Sequence, residues 1–384
     1  MDRKLIRYDK NSSNAIKGIA ILLVLFHHCF LPGRFENYSI SFFPFSRDQI
    51  ENLADMAKIC VSMFAFSSGY GLWLHAKKNS MKPNGLSPVK WTVARYVKTF
   101  SGYWFVWIIA AIVTQLISGR TAAVYFKSSV TSGVIGMLID FLGLSHLFGS
   151  PSMLMAWWYM SAVFIFIILV PLLLKLDDYL LLVPALLIVL PRILSAKRGT
   201  DLFTGGVYPF LFVFVLGTIF AKYNLIERII NKKGKWLRFG VEAFLLFVFY
   251  KVYRDIDVAY YWELSWGIFP VLVILFCVEF INTIPVLNRG LAFLGKHSLN
   301  IFLVHLFIKT VYLQDFTYSF GHFALIVLVL ALISLCLSLV LEGLKSVTRY
   351  NRLIDKLLGL FGASNISLNS CGTLSESNET IQDK

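Results

Sequence analysis

Charged side chains are scarce in this sequence: 15% of the 384 residues are charged, whereas 57% are hydrophobic and 16% aromatic. A soluble domain carries about 25% charged residues, so this composition excludes a water-soluble globular protein. The five cysteines form no CxxC pair, and neither a zinc site nor a disulfide framework is indicated. What the sequence has instead is a series of apolar runs that suit a hydrocarbon core of about 30 Å.

These runs predict an all-α fold, a polytopic transmembrane bundle of about ten helices. The first run follows basic residues, as a signal peptide would, but it ends in His27, His28 and Cys29 rather than at a small-residue cleavage site. We therefore expect it to be retained. The predicted spans are residues 16–31, 57–75, 99–118, 155–174, 179–192, 206–221, 239–253, 263–282, 298–313 and 321–341.

The net charge of +14 comes from 36 Lys and Arg against 22 Asp and Glu. In a soluble chain this excess would suggest nucleic-acid binding, but here the positive-inside rule is the simpler explanation. With a cytoplasmic N-terminus, 25 basic residues fall in inside segments, and the other 11, Lys309 among them, fall in outside segments or their edges. Both termini are therefore predicted to be cytoplasmic.

Three regions follow from this topology. Residues 1–15 form a cytoplasmic N-terminal segment, residues 16–345 the membrane domain, and residues 346–384 a cytoplasmic tail that is largely disordered. Glycine and proline interrupt residues 121–154, which favours an extracellular or re-entrant segment over a further span.

Ionisable groups at membrane depth are costly and need a reason. Lys17 and His28 lie eleven residues apart, within about 20° of one helical face, whereas His27 lies about 80° away. We therefore predict that His28 is the chemical residue and His27 its neighbour. The alternative is a histidine that only satisfies a backbone carbonyl near the helix end.

Ser298 and His305 lie seven residues apart and therefore share one face of a helix, which is the second polar face in the sequence. Ser298 could equally be a helix N-cap or a packing residue. Glu279 lies within a span and has no partner that the sequence identifies.

Two further groups have ordinary default interpretations. Arg95 and Lys98 precede the third span, where basic residues usually anchor headgroups, although they could also hold the phosphates of an anionic cytosolic donor. Trp158 and Tyr159 begin the fourth span, where an aromatic belt is expected.

Five segments together resemble the acyltransferase 3 family of membrane-bound acyltransferases. They are Lys17-Gly18-Ile19-Ala20 through His28, Phe64-Ala65-Phe66-Ser67-Ser68-Gly69-Tyr70, Arg95-Tyr96-Val97-Lys98 with Tyr103-Trp104, Trp158-Tyr159-Met160-Ser161, and Leu294-Gly295-Lys296-His297-Ser298-Leu299 through His305. They are similar to the family's motifs in the same order. Lys17 and Lys98 stand where the family usually has arginine, and an ammonium cannot form the bidentate fork of a guanidinium.

The resemblance implies transfer of an acyl group, most often acetyl, from cytosolic acyl-CoA to a sugar hydroxyl of a cell-surface glycan or its lipid-linked precursor, in the plasma membrane and without a metal. His28 would be the catalytic residue, either as a general base or as an acyl-imidazole relay. The donor would contact Lys17, Arg95 and Lys98. The acceptor would contact His27, Trp158, Tyr159, Ser298 and His305.

Two alternatives remain open. A transporter or flippase for a glycan or lipid would use His28, Glu279 and His305 as a proton relay. A structural membrane subunit would explain the belts and loops but not the Lys17 and His28 face.

Overall fold

The computed structural model describes residues 7–83, 85–198, 206–253, 255 and 261–363. Within these residues the chain is helical, and its β structure is limited to one isolated parallel bridge between Ser41 and His322. The all-α prediction is therefore confirmed for the described part of the chain.

The α-helices are, in chain order, α1 (Lys10–Phe30), α2 (Arg47–Met56), α3 (Ile59–Ser80), α4 (Pro88–Ser118), α5 (Arg120–Tyr125), α6 (Val130–Phe141), α7 (Ser145–Phe148), α8 (Trp158–Leu176), α9 (Val183–Arg198), α10 (Tyr208–Lys222), α11 (Leu225–Ile230), α12 (Lys235–Val252), α13 (Phe269–Phe276), α14 (Pro285–Lys296), α15 (Ser298–Leu306), α16 (Gln314–Tyr318), α17 (Phe323–Val347) and α18 (Tyr350–Leu360). The 3₁₀ segments are Met155–Trp157 and Asp177–Leu182, and the π-helical segments are Glu263–Ile268, Cys277–Ile281 and Phe307–Tyr312.

Several of these helices are long and apolar enough to cross a membrane. Five such helices occur among the described residues: Lys10–Phe30, Pro88–Ser118, Met155–Leu194, Glu263–Ile281 and Phe323–Val347. The count is up to six when Pro285–Lys296 and Ser298–Tyr312, which are bent by 62° relative to each other, are taken as one span. Each of the ten predicted runs contains helix, but some helices, such as the 15-residue α10, are short. A helical membrane protein is confirmed, whereas about ten spans and the side of each terminus stay predictions.

The chain divides into two compact units, the first made of Met1–His75 with Leu172–Ser338 and the second of Ala76–Pro171 with Leu339–Lys384. In the first unit α1 and α14 approach each other through glycines. A Cβ on Gly18 would lie 2.0 Å from the carbonyl oxygen of Leu291, and one on Gly295 would lie 1.8 Å from that of Asn14. Only residues without a side chain allow such close backbone contact. These motif glycines therefore set the distance between the two helices.

The same device joins α3 to α10. A Cβ on Gly69 would lie 2.1 Å from the carbonyl oxygen of Phe214, and one on Gly217 would lie 2.3 Å from that of Phe66. The glycine of the second family-like segment is thus a packing residue.

Also in the first unit, Glu279 has a partner. Its carboxylate is fully buried and accepts hydrogen bonds from Nε and Nη2 of Arg238, with the closest contact at 2.6 Å. The other guanidinium hydrogens reach the backbone carbonyls of Ile230, Lys232 and Lys233. This pairing was not predicted, because the two residues lie on different helical segments.

The second unit is organised around Asp140. Its buried Oδ2 accepts hydrogen bonds from Trp107 Nε1 at 3.0 Å, from the Tyr125 hydroxyl at 2.5 Å and from the Met153 amide at 3.2 Å. Ser161 donates to the carbonyl of Gly143 at 2.8 Å. Residues 121–154 are therefore held to α4 and α8 by polar contacts, and their extracellular or re-entrant placement stays a prediction.

The predicted tail 346–384 contains α18, whose buried Ile354 and Leu358 pack against Ala94 and Val97 of α4. Residues 364–384 lie outside the described residues, and so does most of the predicted disorder.

Candidate active site

Two imidazoles from distant parts of the sequence meet in the first unit. His28 lies in the last turn of α1 and His305 near the end of α15, and their ring centroids are 5.0 Å apart. His28 is half-buried, whereas His305 is fully buried. The sequence predicted both residues as site residues, and the fold brings them together.

The local backbone fixes the tautomer of His305. Its Nδ1 lies 2.7 Å from the carbonyl oxygen of Phe302, and because a carbonyl only accepts, Nδ1 carries the proton. The lone pair is then on Nε2, which is buried and has no hydrogen-bond partner among the described residues. This nitrogen is a proton acceptor without a fixed partner.

His27 has a different role in the structure. Its Nδ1 lies 2.7 Å from the carbonyl oxygen of Ala54 on α2, and its ring is 5.2 Å from that of His28. α2 is in turn fixed by a capping box between Ser46 and Gln49. His27 thus ties α1 to α2, and its contact with a substrate stays a prediction.

Lys17 and Ser298 both lie in the first unit. Lys17 is half-buried on α1, next to the close contact at Gly18. Ser298 is buried as the first residue of α15, and the N-cap position belongs to His297. The N-cap alternative for Ser298 is therefore not realised.

Sequence reasoning missed Lys309. The charge count placed it in an outside segment or its edge, but the residue is 2% exposed and lies in the π-helical segment that continues α15. Its Nζ lies 5.6 Å from the ring centre of Tyr318. The sequence holds one indication that Lys309 belongs with His305. It follows His305 by four residues inside an apolar run, and residues four apart share a helix face.

Tyr318 links this lysine to the first helix. Its hydroxyl donates to the carbonyl oxygen of Cys29 at 2.9 Å, and burial raises the pKa of Tyr318, which keeps the hydroxyl protonated. The ring of Tyr38 stacks on Tyr318 at 4.5 Å, and the Tyr38 hydroxyl donates to Asp315 at 2.5 Å. The end of α1 that carries His28 is thereby fastened to α16.

The remaining predicted residues belong to the second unit. Arg95 and Lys98 are half-buried on α4. Trp158 and Tyr159 open α8, with ring centroids 5.9 Å apart, and Trp158 lies 5.9 Å from His146. Within residues 7–83, 85–198, 206–253, 255 and 261–363, no group of three or more His, Cys, Asp or Glu side chains could hold a metal ion.

Helices that suit a membrane, with two imidazoles side by side between α1 and α15, define this molecule as a helical membrane protein. A family model described as an acyltransferase domain matches residues 10–343, nearly the whole chain. The chain therefore belongs to the acyltransferase 3 family, and membrane acyl transfer is its general activity. No curated protein and no solved structure matches it.

Proposed function

We propose that the protein moves an acetyl group from cytosolic acetyl-CoA to a sugar hydroxyl of a cell-surface glycan or its lipid-linked precursor, as a multi-pass protein of the plasma membrane. Family membership supports acyl transfer in general, and the resemblance of the motifs supports this donor and this acceptor. The observation that carries the chemistry is the His28 and His305 pair, in which the buried Nε2 of His305 has no hydrogen-bond partner among the described residues.

In this mechanism His28 is the general base. The acceptor oxygen forms a bond to the thioester carbonyl carbon, its proton moves to the imidazole, and the carbonyl electron pair moves onto the carbonyl oxygen. The C=O bond then re-forms, the C–S bond breaks, and the coenzyme A thiolate takes the proton from the imidazolium. His305 lies beside His28, where it can share this proton or orient the acceptor hydroxyl.

The donor contacts are part of the same proposal. Arg95 and Lys98 are the candidate ligands for the phosphates of coenzyme A, and Lys17 is the candidate contact on α1. Lysine at positions 17 and 98 supplies charge without a bidentate fork, so each is expected to attract a phosphate rather than to orient it.

The transporter alternative required Glu279 as a member of a proton relay. The bidentate contact with Arg238 favours a structural role for this carboxylate, since both of its oxygens already accept hydrogen bonds from the guanidinium. We therefore propose acyl transfer alone.

The test compares surface glycans by mass spectrometry from cells that carry wild-type protein, His28→Ala, His305→Ala or the double variant. We expect each single variant to lower acetyl content by about 10²-fold or more, the contribution typical of acid–base catalysis. The double variant should be little worse than either single variant, because residues that act as a unit are not additive.

His322→Gln is the matched control, because His322 is a half-buried histidine whose Nε2 contacts the carbonyl of Phe43 rather than His28 or His305. It should leave acetylation unchanged. Normal acetylation by His28→Ala, at normal protein levels in the membrane, would show that the assignment is wrong.

A further inference from the structure

Lys309 is a buried charge that the mechanism above does not use. Its side chain is 2% exposed, yet no ion pair or hydrogen bond joins Nζ to any residue of the described ranges. Its Nζ lies 5.6 Å from the ring centre of Tyr318. A cation–π contact is weaker than the cost of taking an ammonium out of water. A structural role therefore does not explain why a lysine stands here.

Its position points to the chemistry instead. Lys309 follows His305 by four residues, and Tyr318, which lies under its ammonium, donates a hydrogen bond to the residue directly after His28. The Lys309 ammonium is close enough to the imidazoles of His28 and His305 to interact electrostatically with both. Lys309 also lies in a π-helical segment, and such segments occur often at functional sites.

We propose that Lys309 is a catalytic residue whose ammonium stabilises the oxyanion of the acyl-transfer reaction. This inference rests on the proposed function. When the acceptor oxygen bonds to the thioester carbon, the carbonyl electron pair becomes a full negative charge on oxygen. A preorganised cation in a site of low dielectric constant stabilises that charge without reorganisation. The ammonium keeps its protons throughout, and the acceptor proton goes to His28.

Two groups can supply the negative charge that the Lys309 ammonium would bind. One is the oxyanion, which exists only during the reaction, and the other is a carboxylate or phosphate carried by the acceptor in its ground state. The two are separable because an oxyanion contact acts on kcat, whereas a ground-state contact acts on the KM for the acceptor. The reaction with water as acceptor has no acceptor anion and isolates the first source.

The experiment measures release of coenzyme A thiol from acetyl-CoA by the full chain, purified in detergent, with water as acceptor. Lys309→Met keeps the length of the side chain and removes its charge, and Lys309→Arg keeps the charge. We expect Lys309→Met to lower kcat about 10²–10³-fold with less than about a threefold change in KM, and Lys309→Arg to recover part of the loss. Lys251→Met removes the charge of an exposed lysine in the first unit and should stay near wild type.

Lys309→Met with wild-type kcat overturns the inference, and so does a loss confined to KM. If Lys309→Met does not elute as a monodisperse protein, Lys309→Gln, which keeps a polar end, decides by the same readout. His28→Ala is run alongside: when wild type shows no release that depends on His28, it is the proposed function that fails. When release depends on His28 but not on Lys309, only this inference fails.

Discussion

At the scale of single residues, Arg238 and Glu279 form a buried ion pair in the first unit. Glu279 is fully buried, and removal of its guanidinium partner would leave an uncompensated charge. We expect Arg238→Met to lower the free energy of unfolding by about 3–5 kcal/mol, as the breaking of a buried ion pair typically does. The measurement is the thermal midpoint of the detergent-solubilised protein by fluorescence-detected size exclusion.

Lys233→Met is the matched control, since it removes one positive charge from an exposed side chain nearby and should leave the midpoint unchanged. The double variant Arg238→Met/Glu279→Met should recover most of the loss, because two apolar side chains can replace a buried pair at little cost. A wild-type midpoint for Arg238→Met alone would contradict a stabilising role for this pair.

Single residues also mark the limit of what the sequence predicts. Helical phase separates His28 from His27, and their surroundings differ in the structure, since His27 lies against the carbonyl of Ala54 while His28 lies beside His305. That His28 is the chemical residue stays a prediction. Lys309 was missed because counting charges for topology treats every lysine as a loop residue. Its burial is decided by the π-helical path after Leu306, which local composition does not encode.

At the scale of elements, the contact between α1 and α14 positions the histidine pair. α1 carries His28, and α14 leads through His297 into α15, which carries His305. A methyl group at Gly295 would push the two helices apart, because its Cβ would lie 1.8 Å from the carbonyl oxygen of Asn14. We expect Gly295→Ala to lower both the thermal midpoint and the rate of acyl transfer.

Gly290 provides the control on the same helix, because a Cβ there meets no atom of the described residues within 4 Å. Gly290→Ala should keep full activity and gain up to about 1 kcal/mol of stability from helix propensity. Equal effects of the two substitutions would mean that close packing at Gly295 does not position the site.

The elements themselves were predictable to different degrees. Long apolar runs identified the membrane helices, but α1 begins at Lys10 rather than at residue 16, because the side chain of Asp9 caps it by accepting from the Ser12 amide at 2.8 Å. A hydropathy window does not detect a polar first turn. α14 was not predicted because it is amphipathic, with Asn288 and Arg289 interrupting its apolar residues, and only its packing against α1 reveals its place.

At the scale of the whole molecule, the candidate donor contacts are three basic residues: Lys17 on α1, and Arg95 and Lys98 on α4. The sequence supplies the charges but cannot say which of them a nucleotide engages, because headgroup anchoring and phosphate binding use the same side chains. Binding of coenzyme A to the intact chain separates the two uses.

We expect coenzyme A to raise the thermal midpoint of wild-type protein, since a ligand that binds only the folded state adds about 2.7 kcal/mol at one hundred times its Kd. The double variant Arg95→Gln/Lys98→Gln should lose this gain, because two phosphate contacts are removed. Lys78→Gln removes an exposed basic residue near the end of α3 and should keep it. His28→Ala should keep it too, because that substitution removes a proton acceptor and leaves the phosphate contacts in place.

Two outcomes would contradict these assignments. A wild-type protein that coenzyme A does not stabilise would contradict the proposed donor and favour a transporter. A gain in thermal midpoint that survives in Arg95→Gln/Lys98→Gln would assign those two residues to headgroup anchoring.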